Sequence, residues 1–191
     1  FLEVDTMVVT STGRLTIGTE DNPVAANVEA VIQIAANGPI DVSWDPQLLS
    51  RGVISMGAVE INGAEKETFI KLAADAMAGD KSMLLESAPD GWKVGDTVVL
   101  TGTHLGDDGT AAEGEARDDA TTQDEVLVIT KIVGNRVYFD HALEYNHDGA
   151  RDDLMGYAAN YTRNVRIQTE GGDATPVSER GHVMMMHSDD V

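Results

Sequence analysis

A chain of 191 residues with 33 acidic and 13 basic side chains, a formal charge of −20, is long enough to bury its own core. It lacks the basic footprint that nucleic-acid phosphates or an anionic membrane surface require. It has no cysteine, which excludes disulfides, and no run approaching the roughly 20 apolar residues of a membrane span.

The apolar residues come in short bursts closed by turn residues. In chain order they occupy 14–18, 30–35, 52–57, 58–63, 68–73, 82–87, 96–102, 125–132, 136–140, 164–169 and 182–187. Each is strand-sized, rich in β-branched residues and bounded by Gly, Asn, Asp or Pro. Only 65–78 has a spacing that also suits a helix. Its Thr68-Phe69-Ile70 run favours a strand followed by a turn. Gly134-Asn135, between two apolar runs, predicts a hairpin. Several bursts start 16, 22 or 18 residues apart (14 to 30, 30 to 52, 164 to 182), which is the length of a rung in a parallel β-solenoid. Short strands at this density also suit a sandwich or barrel, and spacing alone leaves both open.

Residues 104–125 break the pattern. They hold almost no large apolar side chain and carry Asp107, Asp108, Glu113, Glu115, Asp118, Asp119, Asp124 and Glu125. Clustered carboxylates are what Ca²⁺ needs, although the spacing is not that of an EF-hand. A solvated acidic loop is the plainer reading. Asp107, Asp108, Asp124 and Glu125 are the candidate cation ligands. Asp124 and Glu125 abut the strand at 125–132, so they would be held most rigidly. If the loop closes on itself, His104 and Asp124 meet at its neck.

The stretch 140–153 gathers His141, Tyr145, His147, Asp148, Asp152 and Asp153. His147 and Asp148 are the candidate acid and base for cleaving a glycosidic bond or for β-elimination from a uronic acid. His104, Tyr145 and Arg151 are the candidate substrate contacts. A polar turn cornered at Asp148-Gly149 is again the plainer alternative. Trp92 and Asp96 read as structural, and Asn160-Tyr161-Thr162 matches an N-glycosylation acceptor. In the last burst, alternation turns Val183, Met185 and His187 one way and His182, Met184 and Met186 the other. Two histidines on opposite faces do not chelate one metal. Apolar residues on both faces predict a strand covered on both sides.

Several pieces together resemble a known family: "GRLTIGTEDNP", the Gly52, Gly57 and Gly63 spacing, "GWKVGD" with Trp92, Gly95 and Asp96, and "EYNHDG" with Tyr145, His147 and Gly149. They are similar to the eight-glycine domain and the β-helix that follows it in fibrocystin-like surface proteins, the cell-migration-inducing hyaluronidase and related bacterial secreted proteins. The resemblance implies an all-β fold, a right-handed parallel β-helix (solenoid), as part of a longer extracellular or cell-surface polypeptide. It implies eight-glycine-like solenoid over 1–103, an acidic insertion at 104–124 and further rungs over 125–191. The expected function is polysaccharide binding or degradation, assisted by Ca²⁺, with a cell-surface glycan as partner. The alternative is a non-catalytic structural or adhesive module of a large surface protein. A charge of −20 weighs against a polyanionic sugar such as hyaluronan, on which the family's animal members act.

Overall fold

The computed structural model describes residues 1–104, 122–151 and 153–186. The chain forms an all-β structure of two compact units. One comprises Phe1–Glu65 and Arg163–Val191, the other Lys66–Thr162. Among the described residues no helix is long and apolar enough to cross a membrane.

The first unit is laid down in courses. Strands β1 (Leu2–Val4), β2 (Thr6–Val9) and β3 (Arg14–Ile17) come first, then β4 (Ala30–Ile34), β5 (Gly52–Ser55) and β6 (Ala58–Ile61). The second course pairs strand for strand with the first, always parallel: β1 with β4, β2 with β5 and β3 with β6. After the second unit the chain returns to this one with its last two strands, β13 (Val165–Thr169) on β4 and β14 (His182–Met185) on β5, again parallel. In-register stacking puts like on like. Leu2, Ile32 and Ile167 form one column, and Ile32 is buried. The neighbouring column alternates to the other face and is polar. There the Gln33 side chain donates to the Glu3 carboxylate at 2.9 Å, and the Gln168 side chain donates to Gln33 Oε1 at 3.4 Å.

Close stacking explains two of the glycines noted in the sequence. A Cβ at Gly57 would overlap the Thr10 and Gly13 carbonyl oxygens, and one at Gly52 would overlap the His182 carbonyl. Where the chain re-enters this unit, one amide fastens it. The Asn164 Oδ1 accepts from the Ala64 amide at 2.9 Å, and its Nδ2 donates to the carbonyls of Val24, Ala25 and Val28 at 3.0 to 3.1 Å.

The second unit is built differently. Strands β7 (Phe69–Lys71), β8 (Ser82–Leu84), β9 (Thr97–Leu100), β10 (Glu125–Val133), β11 (Arg136–Phe139) and β12 (Tyr157–Asn160) make one six-stranded sheet in the order β7-β12-β9-β10-β11-β8. Every pairing in it is antiparallel. Its inner face carries Ile70, Met83, Val98, Leu100, Leu127, Ile129, Val137 and Ala158. Trp92 closes over this core and donates its indole N–H to the Glu67 carbonyl at 2.7 Å. Asp96 is buried and receives the Lys66 ammonium at 2.6 Å, the Asn160 amide at 2.8 Å and the Lys93 backbone N–H at 2.9 Å.

The expectation of parallel rungs continuing over 125–191 is corrected here for residues 125–162. β10 and β11 form the hairpin that Gly134-Asn135 predicts, with Gly134 at φ 59°, and a two-residue connection can only join antiparallel strands. The units also do not divide at 103 and 125. β9 and β10 pair directly across the acidic insertion, which places both in one sheet. Residues 69–71 are strand, as the β-branched run there predicts. The final strand, β14 (His182–Met185), alternates as expected. It is covered on one face only: Val183 and Met185 are 47% and 39% exposed, because they lie on the outer side of the stack.

Candidate functional site

The candidate residues of the second unit converge where β9 ends and β10 begins. Glu125 opens β10. Period-two alternation turns it to the same side as Leu127 and Ile129, so a carboxylate faces the core. Burial raises its pKa, but this is outweighed by hydrogen bonds from the Glu144 amide at 2.9 Å, His147 Nε2 at 2.8 Å and the Tyr145 amide at 3.0 Å. The carboxyl is therefore held below the usual glutamate range.

His147 is fully buried. Its Nδ1 lies 2.9 Å from the Thr101 carbonyl oxygen and its Nε2 2.8 Å from Glu125 Oε1. Both ring nitrogens are thereby engaged inside the fold. Its own amide donates to the Ala76 carbonyl at 2.7 Å. This is a clip that fixes the 144–147 loop against the sheet. It leaves no ring nitrogen for a substrate, which corrects the acid/base role expected of His147.

Asp148 points outward instead. Its Oδ1 lies 2.8 Å from His104 Nε2, and the hydrogen bond from His104 holds the carboxyl below the usual aspartate range. Next to this half-exposed pair is an open cavity of about 410 Å³, lined by Ala78, His104, Gln123, Glu144, Tyr145 and Asn146. Asn146 Oδ1 accepts from the Ala78 amide at 3.0 Å, which ties the two sides of the cavity together. Tyr145 shows 39% of its surface.

The structure thus brings together His104, Tyr145 and Asp148. It separates the others. Arg151 is exposed and forks onto Asp153 with two bonds of 2.9 Å, and it does not line the cavity. His104 and Asp124 do not meet at the neck of the insertion. Asp124 accepts from the Gly102 amide at 2.7 Å, while His104 reaches across to Asp148. Asp107 and Asp108 lie outside the described residues, as do Glu113, Glu115, Asp118, Asp119, Asp152 and His187. Among the described residues, no group of three or more His, Asp or Glu side chains is arranged to hold a metal ion. Glu125, proposed above as a cation ligand, spends both oxygens on N–H donors. Asn160, which would carry the sugar in the acceptor sequence, is fully buried with its side-chain amide on Asp96, so the folded chain does not offer it for glycosylation. Gln123, Glu144 and Asn146 were not singled out by the sequence. Their nearness to His104 follows from the antiparallel pairing of β9 with β10, which no motif announces.

Residues 1–73 match the G8 domain. Over most of its length the chain is 23% identical to a G8 domain-containing protein of Dictyostelium discoideum, across 174 residues and 91% of this chain. It is 26% identical to fibrocystin of Canis lupus familiaris, across 185 residues and 88% of this chain. The chain spans only 11% and 4% of the lengths of these two relatives. Among solved structures it is similar to the tailspike of Pseudomonas phage phi297, with a TM-score of 0.41 and 12% identity over 97% of this chain and 24% of that one. It is likewise similar to the tailspike of Acinetobacter baumannii bacteriophage AP22, solved in complex with a capsular saccharide. There the TM-score is 0.39 and the identity 12%, over 97% of this chain and 27% of that one.

Proposed function

We propose that this chain is a glycan-binding module of a larger cell-surface or secreted protein. The first unit would be a short stretch of parallel β-solenoid serving as a frame, and the cavity of the second unit the binding place. The observation that carries the reading is the convergence of His104 and Tyr145, far apart in sequence, on one open cavity with Gln123, Glu144 and Asn146. An exposed ring beside several planar polar groups suits a sugar, whose C–H face packs on the ring while its hydroxyls take the hydrogen bonds. The match to the G8 domain and the similarity to fibrocystin support the setting in a long surface protein.

Binding is favoured over cleavage. A general acid or base must reach the proton it moves, and His147 is shut in the core with both nitrogens engaged. The second reading is a purely structural module. The in-register polar column Glu3–Gln33–Gln168 favours it, since such stacking serves rigidity without any ligand.

Binding of the purified chain to a panel of polysaccharides, by array and then calorimetry, separates the two. The glycan reading expects retention of at least one sugar class and a loss of about tenfold or more in Tyr145→Ala, roughly 1.4 kcal/mol. Failure of the unaltered chain to retain any glycan would leave the structural module.

A further inference from the structure

The cavity wall has a charge character that narrows its ligand. Glu144 is exposed on that wall, and among the described residues its carboxylate has neither an ion pair nor a side-chain hydrogen bond. Tyr145 follows it with an exposed ring. Asp148 adds a second carboxylate, one hydrogen bond behind His104. None of the described lining residues is Lys or Arg, and Arg151, close by in sequence, is occupied by Asp153. An unpaired carboxylate next to an exposed aromatic ring is recognition chemistry for an ammonium group. The acid supplies charge-assisted hydrogen bonds and the ring face a cation–π contact. The same wall repels a uronate or sulfate.

Building on the glycan-binding reading, we infer that the cavity prefers a glycan bearing free amino groups, a de-acetylated hexosamine, over its N-acetylated counterpart, and rejects uronates. The ammonium sits between the Glu144 carboxylate and the Tyr145 ring, and acetylation abolishes the charge that both of them read.

Calorimetry with short oligomers of glucosamine, N-acetylglucosamine and a uronic acid tests this, below neutral pH and in moderate salt. The glucosamine oligomer should bind about tenfold tighter than the acetylated one, and the uronate not measurably. Glu144→Gln should remove most of that preference. Glu20→Gln, which removes the same charge from an exposed site in the first unit, should leave it intact. Equal affinity for the amino and acetylated oligomers would overturn the inference while leaving the glycan reading standing. So would tightest binding of the uronate. A Glu20→Gln loss as large as that of Glu144→Gln would also overturn it, because the attraction would then be to overall charge. Binding of none of the three, nor of any sugar in the wider panel, would remove the glycan reading itself and this inference with it.

Discussion

His147 Nε2 and Glu125 Oε1 lie 2.8 Å apart, with the imidazole fully buried and the carboxylate 6% exposed. The pair joins the first residue of β10 to the loop whose side chains line the cavity. Two further N–H groups of that loop, from Glu144 and Tyr145, converge on the same carboxylate. Removing one partner leaves buried donors or a buried charge uncompensated, which costs far more than the pair contributes as a net gain. Glu125→Ala is expected to destabilise the chain by about 3–5 kcal/mol in urea titration, a large part of a typical domain's stability. Glu125→Gln keeps an acceptor for one amide, so it should cost less.

The pH dependence of stability follows from the same carboxyl and from Asp96. Burial raises both pKa values, yet hydrogen bonds win: the Glu144 and Tyr145 amides and His147 at Glu125, and Lys66, Asn160 and Lys93 at Asp96. A carboxyl held lower in the folded than in the unfolded chain stabilises the fold above its unfolded value, about 4. That contribution is lost as pH falls through the folded value. Urea midpoints should therefore be flat from about pH 8 to 6 and decline below about pH 5. In Glu125→Gln the decline should be shallower, since one of the carboxyls held low in the fold no longer titrates. An equally steep decline would show that Glu125 is not a source of the acid sensitivity.

Gly57 separates close packing from backbone freedom. Its φ is not in the left-handed region, but a Cβ would run into two carbonyl oxygens of the course before it. Gly134 is the opposite case, with open space around it and φ at +59°. Gly57→Ala should cost about 1–3 kcal/mol by forcing the courses apart. Gly134→Ala should cost only about 1–2 kcal/mol, for a left-handed residue in an exposed turn. Thermal melts of the two variants check the order. A milder effect at Gly57 than at Gly134 would count against tight stacking of β2 and β5.

Much of this was written in local pattern. The strand-sized bursts and Gly134-Asn135 name elements the structure contains. The 16-, 22- and 18-residue spacing does not measure a rung, because β3, β4 and β5 stack on β6, β1 and β2 and not on one another. The inward turn of Glu125 was also legible, since it shares parity with Leu127 and Ile129 on one strand. Pairing direction was not. Bursts such as 82–87 and 52–57 look alike as sequence, yet one pairs antiparallel and the other parallel, because the choice is made by the connections. The site was half legible. His104 and Tyr145 stood out by residue type. That His104 would choose Asp148 over Asp124, and that His147 would vanish into the core, depends on contacts between loops that no period marks.

Asn160 offers the last test, because its neighbourhood admits only one kind of side chain. It is buried, and its Nδ2 donates at 2.8 Å to an Asp96 carboxylate already bonded to Lys66 and the Lys93 amide. Asn160→Asp is nearly isosteric, but it exchanges a donor for a second carboxylate at hydrogen-bond distance. Two carboxylates so placed do not both ionise without a large cost, and one pKa rises. The variant should lose about 2–4 kcal/mol near neutral pH and recover part of that on mild acidification, when the proton shared between the two acids restores a hydrogen bond. This is the reverse of the trend expected for the unaltered chain, so urea midpoints of the two proteins should converge between about pH 7 and 5. Curves that stay parallel over that range would mean that Asn160 and Asp96 are not in contact in solution.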